Sequence, residues 1–424
     1  MTENTQPFIQ DELQTQAITL GCGTNDRIVC VTGPAGTGKT TIMLQIYNAF
    51  VNAGHKVAIA APTGKAAKRI SEATGLPAVT LHRLLEYTHP GDPDPKTGKV
   101  TGVSVPRRGP ENRLEYSVVL VDEYSMINNE LDRTLLDAIP AGGLVRCFGD
   151  INQLPPIENT GFNGPPAGPS AFTRHLKNFP SVKLEKIYRQ GEGSGIVTNA
   201  ARILKGWVPQ QADDFQMVIG KNPVETVMDM IMAEGAKFHT LDWQIITPTH
   251  MGWTGTRALN LKIQEMLQGE KMHEAHVMPR TRYDKVKSLV LIPGDKILWT
   301  KNDYHLEIYN GETGIVKKFE HDQVFIDFGD REVAIPPHVE YIASDGSTKN
   351  YDPRTTINLA YAVTTHASQG SEYSQIAYIM DKSSSILHDR SNFYTAITRA
   401  RYKTTVVTDQ RSLQRAVSTL KVRF

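Results

Sequence analysis

The stretch Gly33-Pro34-Ala35-Gly36-Thr37-Gly38-Lys39-Thr40-Thr41 constrains this chain more than any other, because it matches G-x-x-x-x-G-K-[ST] without a gap. An apolar run, Ile28-Val29-Cys30-Val31, precedes it, and a helix-like pattern, Ile42-Met43-Leu44-Gln45-Ile46, follows. A phosphate cradle needs that strand–loop–helix context, since backbone N–H groups must converge at a helix N-terminus. Lys39 is placed to reach the β- and γ-phosphates and the Thr40 hydroxyl to ligate Mg²⁺. The implied ligand is a nucleoside triphosphate, and the implied fold class is α/β with a parallel sheet.

Such a cradle requires a metal-binding carboxylate on a neighbouring buried strand. Val118-Val119-Leu120-Val121 is a continuous apolar run of the kind buried parallel strands show, and it ends in Asp122-Glu123. Asp122 is the candidate Mg²⁺ residue, acting through water. Glu123 is the candidate base for the attacking water, a role that hydrolases need and kinases do not. A third strand-like run, Leu144-Val145-Arg146-Cys147-Phe148, leads into Gly149-Asp150-Ile151-Asn152-Gln153. At the C-terminal edge of such a sheet the Gln153 amide can touch the γ-phosphate; a solvated loop glutamine is the alternative.

Composition sets the outer limits. At 424 residues the chain is too long for a single core. A formal net charge of +1 means that a nucleic-acid partner has to be held by local grooves and not by a global field. No apolar run approaches the ~20 residues that span a bilayer, and the N-terminal stretch lacks secretory features. Cys22, Cys30 and Cys147 form neither a CxxC pair nor a zinc spacing. The expectation is a cytoplasmic protein with reduced thiols, without membrane contact.

DEYSMI (122–127) and GDINQLPPI (149–157) resemble motifs II and III of superfamily 1 helicases. The likeness continues through LEKIYRQ (184–190), TPTHMGWTGTRALNLKIQEML (247–267), GDKILWTKND…IYNGETGIV (294–316), LAYAVTTHASQGSEY (359–373) and FYTAITRAR (393–401). In that order, over nearly the whole chain, these segments resemble the RecD/Dda-like branch, whose members are 5′→3′ DNA helicases. The resemblance implies ATP and Mg²⁺ as cofactors and single-stranded DNA and strand junctions as partners. It also implies single-strand-binding or replication proteins as further partners, and a working monomer. Gln16 falls where the family keeps an adenine-contacting glutamine, and Gly370 and Glu372 fall in a nucleotide-contacting motif. Arg189 and Arg399 match arginines that reach the γ-phosphate from a second motor domain, where a guanidinium supplied across a cleft stabilises the transferring phosphoryl. Two departures stand out: Ala367 replaces a lysine common in relatives, and Tyr124 replaces a small residue.

The resemblance organises the chain as two RecA-like motor domains with two insertions. The first spans about 1–180 and the second about 181–270 plus 350–424. A Pro- and Gly-rich interruption at about 88–113 is either a duplex-splitting β-hairpin pin or an irregular surface loop. Residues 285–345 are expected to form an SH3-like β-barrel, with Asn310-Gly311 as a hairpin signal, Gly329-Asp330 as a turn and 324–328 as a strand. The sequence assigns no structure to 270–288. Candidate strand-gripping residues are Pro62, Thr63, Lys65, Thr80, His82 and Arg83 on the first domain. Trp299, Asn302, Thr365, His366 and Ser368 are the candidates on the second, with core packing as the alternative for His82 and Trp299. A translocase that strips proteins without separating strands, an RNA-directed motor and a nucleotide-switched recruitment module remain as other readings.

Overall fold

The computed structural model describes residues 11–88, 104–156, 158, 168–188, 193–235, 238, 240–280, 289–303, 305–342 and 347–420. The central part of the pin segment, Arg189 and 281–288 lie outside these.

The first part of the chain alternates helix and strand: α1 (Glu12–Cys22), β1 (Ile28–Thr32), α2 (Lys39–Asn52), β2 (Val57–Ala61), α3 (Gly64–Thr74), β3 (Ala78–Thr80), α4 (Leu81–Leu84), β4 (Val118–Val121), α5 (Asn129–Ala138), β5 (Leu144–Gly149), α6 (Ala171–Asn178) and β6 (Ser181–Lys183). The strands form one parallel sheet in the order β3-β2-β4-β5-β1-β6. β1, β4 and β5 are buried along their whole length, so β1 and β4 read as near-unbroken apolar runs and β5 as one interrupted by the buried Arg146. The register sets Thr32 beside Gly149 and Val121 beside Cys147, so the loops after β1, β4 and β5 emerge together at one edge. Ligands of open α/β sheets gather at such an edge.

A second parallel unit begins with α7 (Gly195–Leu204), β7 (Phe215–Ile219), α8 (Pro223–Glu234), β8 (Trp243–Thr247) and α9 (Thr256–Gln268). The stretch left unassigned by sequence holds a 3₁₀ turn at Gly269–Glu274 and then β9 (His276–Met278), which pairs antiparallel with β10 (Leu289–Leu291). β11 (Lys296–Trp299), β12 (Thr313–Glu320), β13 (Gln323–Asp327) and β14 (Glu332–Ile335) follow, then the hairpin β15 (Val339–Ile342) and β16 (Thr348–Tyr351), and β17 (Ile357–Leu359). The chain closes with β18 (Ala362–Thr364), β19 (Tyr373–Met380), α10 (Arg390–Ile397), β20 (Ala400–Thr408) and α11 (Gln410–Ser418). Strands in the order β18-β8-β19-β20-β7 make the second parallel sheet, assembled from two stretches of chain.

Between those stretches lies a five-stranded antiparallel sheet, β14-β13-β12-β11-β17. Gly329 turns the chain from β13 to β14 at φ +94°, as its sequence suggested. Asn310-Gly311 sits in a turn, but at the end of a long connection from β11 to β12. The tight hairpin is elsewhere. His321 and Asp322, at φ +49° and +61°, join β12 to β13 as the two central residues of a turn with both φ values positive. One apolar core runs from β8 and α9 into β11–β14 and includes Trp243, Leu259, Ile297, Trp299 and Ile326. Among the described residues no helix is long and apolar enough to cross a membrane.

Candidate functional site

The loop after β1 is shaped by two left-handed glycines, Gly36 at φ +80° and Gly38 at φ +84°, with Gly38 capping α2. That conformation is cheap only without a β-carbon, and it directs successive N–H groups inward. The loop is pinned from several sides. Gly33 N–H donates to the Gly149 carbonyl at 3.1 Å, Tyr188 N–H to the Gly36 carbonyl at 2.7 Å, and the Thr37 hydroxyl to the Pro34 carbonyl at 2.9 Å. Lys39 Nζ donates to the carbonyls of Gly33 and Pro34 at 2.7 and 2.8 Å, inside the cradle. Burial pushes the Lys39 pKa down, opposed by Asp150, Glu123 and Asp122.

At the end of β4, Asp122 accepts from Glu123 N–H at 2.8 Å. Burial pushes the Asp122 pKa up, reinforced by Glu123 and opposed by Arg69 and Lys39. Glu123 takes a left-handed backbone, φ +50° and ψ +39°, and one of its carboxylate oxygens, Oε2, is buried without a hydrogen-bond partner. Ion pairing reaches the other oxygen from Arg69, at 3.6 Å. A left-handed glutamate beside an orphaned buried oxygen is the kind of strain that collects at functional positions.

These groups line one cavity of about 400 Å³. From the first sheet come Ala35, Gly36, Gly38, Lys39, Thr40, Thr41, Asp122, Glu123 and Gln153. Glu372, Arg399 and Arg401 enter from the second sheet. Arg399 is almost wholly buried and donates to the carbonyls of Thr395 and Ser371 at 3.0 and 3.4 Å. Both oxygens of Glu372 are engaged, one by Arg69 at 2.8 Å and the other by Arg401 at 3.1 Å. Gly370 lies against Thr63 and Ala66 at the start of α3, outside the cavity lining. Inward N–H groups, a half-buried lysine, two arginines and an all-oxygen set from Thr40 and Asp122 suit a triphosphate with a hard divalent cation.

One sequence assignment is corrected. α1 turns Gln16 to solvent, on the face it shares with Glu12, Thr15 and Thr19. The glutamine on the cradle is Gln14, two residues earlier, buried with its amide donating to the Thr37 carbonyl at 3.1 Å. A shift of two positions rotates a helical side chain by about 200°, enough to exchange the faces.

Models of two families match the chain, an AAA domain over residues 10–219 and a UvrD-like helicase C-terminal domain over 359–407. The ATP-dependent RecD2 DNA helicase of Deinococcus radiodurans is 30% identical over 390 residues, covering 88% of this chain and 46% of the relative. The RecBCD enzyme subunit RecD of Mycolicibacterium smegmatis is 28% identical, with 93% and 71% covered. In fold, the chain resembles Bacteroides Pif1 bound to single-stranded DNA, at a TM-score of 0.57 and 20% identity over 94% and 92% of the two chains. It also resembles Pif1 helicase from Candida albicans, at 0.55 and 19% over 96% of each. In sequence the chain is thus similar to superfamily 1 helicases of the RecD type. It spans about half the length of the RecD2 helicase it matches.

The strand-gripping candidates of this chain divide sharply. Pro62 and Thr63 are half-buried, and Thr63 caps α3 by accepting from Ala66 N–H at 3.2 Å. Lys65 points across to the second sheet, 5.6 Å from the Tyr373 ring centre, and burial pushes its pKa down to about 8. His82 packs against Tyr87 with 4.7 Å between ring centres, Arg83 is exposed, and His366 is half-buried. Asn302 is exposed and accepts from Asn310 N–H at 3.0 Å. Four side chains do not face a groove. Trp299 is in the core that joins the second and third sheets. Thr80 is buried as the cap of α4, and Thr365 is buried with its hydroxyl on Asn392 at 2.7 Å. Ser368 is buried and donates to the Thr365 carbonyl at 2.8 Å. The motif pattern identified these positions but could not tell a wall of the loop from its lining. Sequence reasoning missed Arg69, Asp150, Tyr394 and Arg401, whose contacts all bridge distant parts of the chain.

Proposed function

We propose that this chain is an ATP-driven motor that moves 5′→3′ along single-stranded DNA and unwinds duplex DNA, hydrolysing ATP in the cleft between two RecA-like domains. The observation that carries it is the shared cavity: the cradle and Asp122–Glu123 come from one parallel sheet, and Arg399 with Arg401 from the other. A site split between two sheets can turn over only when they approach, which ties chemistry to movement.

In this reading Lys39 and the loop N–H groups bind the β- and γ-phosphates, and Gln14 buttresses the loop from behind. Thr40 and Asp122 would hold Mg²⁺, which would supply positive charge to offset that of the phosphates. Glu123 orients a water and takes its proton as the water oxygen attacks the γ-phosphorus and the bond to the ADP oxygen breaks. Arg399, and Arg189 by its place in the sequence, stabilise the phosphoryl from the second domain. The domains are about 1–180 and about 181–270 plus 350–424, with β11–β14 in an SH3-like barrel at about 285–345 and a pin at about 88–113. The strand runs over the loops that open α3 and α4 and over the His366 region, gripped through backbone amides and Lys65, Arg83 and Asn302.

The test is ATP-dependent strand separation on matched duplexes, one with a 5′ single-stranded tail and one with a 3′ tail. Opening from the 5′ tail alone is the expected result. Preference for the 3′ tail overturns the polarity, and DNA-stimulated ATPase without opening of either leaves a stripping translocase.

A further inference from the structure

Helix α3 does more than follow a loop. Within its first six residues it touches all three sheets. A β-carbon on Gly64 would stand 2.0 Å from Tyr309 Cβ, so only glycine admits the antiparallel unit this closely. Lys65 lies over Tyr373 of β19, and Lys68 pairs with Asp330 at 2.6 Å, between β13 and β14. Arg69 reaches furthest. One terminal nitrogen lies 2.8 Å from Glu372 and the other 3.6 Å from Glu123.

We propose that Arg69 is a positioning residue for hydrolysis, tying the orientation of Glu123 to the seating of the second sheet against the first. The inference rests on the reading of Glu123 as the base. Among the described residues Arg69 is the one ion-pair partner of the Glu123 carboxylate, and it engages Oε1 while Oε2 stays buried and unpartnered. That division leaves one oxygen for a proton and fixes the other, the arrangement in which a third group orients a catalytic base. Arg69 is in turn fixed by Glu372, whose second oxygen is held by Arg401 at 3.1 Å. The series Glu123, Arg69, Glu372, Arg401 therefore crosses the cleft. When the second sheet withdraws, Glu372 leaves with it and Arg69 loses its shorter bond. The base is then set only in the closed cleft, a gate separate from the arginine that stabilises the phosphoryl group.

The experiment compares R69Q, R69K, E372Q and R69Q/E372Q with the unaltered chain, with E123Q as control. It measures ATPase kcat and KM with saturating single-stranded DNA, the Kd of a fluorescent non-hydrolysable ATP analogue, and thermal melting. A base displaced by about 1 Å loses on the order of 100-fold in rate. R69Q is expected to lower kcat by roughly 10- to 100-fold while the analogue Kd stays within about threefold. R69K keeps the charge but lacks the rigid guanidinium fork that holds the two carboxylates at a fixed spacing, so its kcat stays low. E372Q falls in the same direction, and the double variant is no slower than R69Q within about twofold, since both changes break one series. Unchanged kcat with analogue binding weakened tenfold would make Arg69 a nucleotide ligand and overturn the proposal. Additive losses in the double variant overturn it as well. If R69Q does not fold, R69K and E372Q decide the question. Should E123Q turn over normally, the base assignment itself fails; E123Q dead with R69Q and R69K normal defeats this inference alone.

Discussion

Glu123 shows at the scale of one residue how the fold spends stability on chemistry. A left-handed conformation costs a residue with a β-carbon ~1–2 kcal/mol, and burying an unpartnered carboxylate oxygen adds to that. Lys39 is the complementary case, a half-buried ammonium held by loop carbonyls with three carboxylates nearby. Two substitutions separate their roles. Lys39→Ala is expected to abolish ATP turnover while leaving single-stranded DNA binding measurable by fluorescence anisotropy. Glu123→Gln keeps the shape of the site but cannot accept the proton, so radiolabelled ATP should still be retained while hydrolysis slows by ~10²-fold or more. A rate within a few-fold of the unaltered chain would remove Glu123 from the role of base. The sequence displayed both residues because short-range chemistry fixes their neighbours: a glycine loop before one and an apolar strand before the other. It misplaced the glutamine of α1 by two positions, because both Gln14 and Gln16 fit a polar helix surface and only the packing of α1 on α2 tells them apart.

At the scale of elements, legibility followed burial. β1 and β4 announced themselves as apolar runs, since strands covered on both faces have no polar side to show, and β5 did so despite its buried Arg146. The turn at His321-Asp322 did not, because neither residue advertises a positive φ as Asn-Gly would. Trp299 was open between strand contact and core for a similar reason, as β11 is covered on the side facing α9 and β8 only once the second sheet is assembled. The same joint hides a charge. Lys296 on β11 is buried, with Nζ donating to the Trp243 carbonyl at 2.8 Å and lying 4.5 Å from the Phe238 ring centre. Burial pushes its pKa down to about 7, with Asp242 opposing. An unfolded lysine titrates near ~10.4. Between those values the unfolded chain binds the extra proton, so stability rises with pH; below about 7 both states are protonated and the full cost of the buried charge is present. Lys296→Met should therefore stabilise the protein at pH 6.5. Its advantage should shrink by up to ~1.4 kcal/mol per pH unit toward pH 10, where leaving the Trp243 carbonyl without its donor outweighs what remains of the gain. Urea denaturation at pH 6.5 and 9.5 reads this difference. A gap that does not vary with pH would show that Lys296 keeps its charge in the folded protein with the pKa of a solvated lysine.

Across the whole molecule the two parallel sheets meet along a seam that no local pattern specifies. The loop after β5 forms one side: Leu154 N–H donates to the Thr395 hydroxyl at 2.9 Å, and its carbonyl accepts from the Gln369 amide at 3.2 Å. A further enclosed contact is Tyr394 on α10, whose hydroxyl donates to Asp150 at 2.6 Å with both side chains almost wholly buried. Burial pushes the Asp150 pKa up, while Lys39 and the Tyr394 hydroxyl pull it back, so this one carboxylate senses the cradle on one side and the second sheet on the other. Removing the hydroxyl leaves a buried acceptor unpaired only while the sheets are together; an open cleft lets water take its place. That asymmetry costs ~1–3 kcal/mol in the closed arrangement alone, a roughly five- to hundred-fold shift toward open. Tyr394→Phe should therefore fold normally, since the ring keeps its packing. With fluorophores on α2 and α11, on opposite sides of the seam, it should need more nucleotide to reach the high-transfer state. Unwinding should fall more than DNA-independent ATPase, because translocation depends on repeated closure whereas basal turnover samples it once. Equal transfer curves for the variant and the unaltered chain would mean that the seam is held by the Leu154 contacts and not by Asp150.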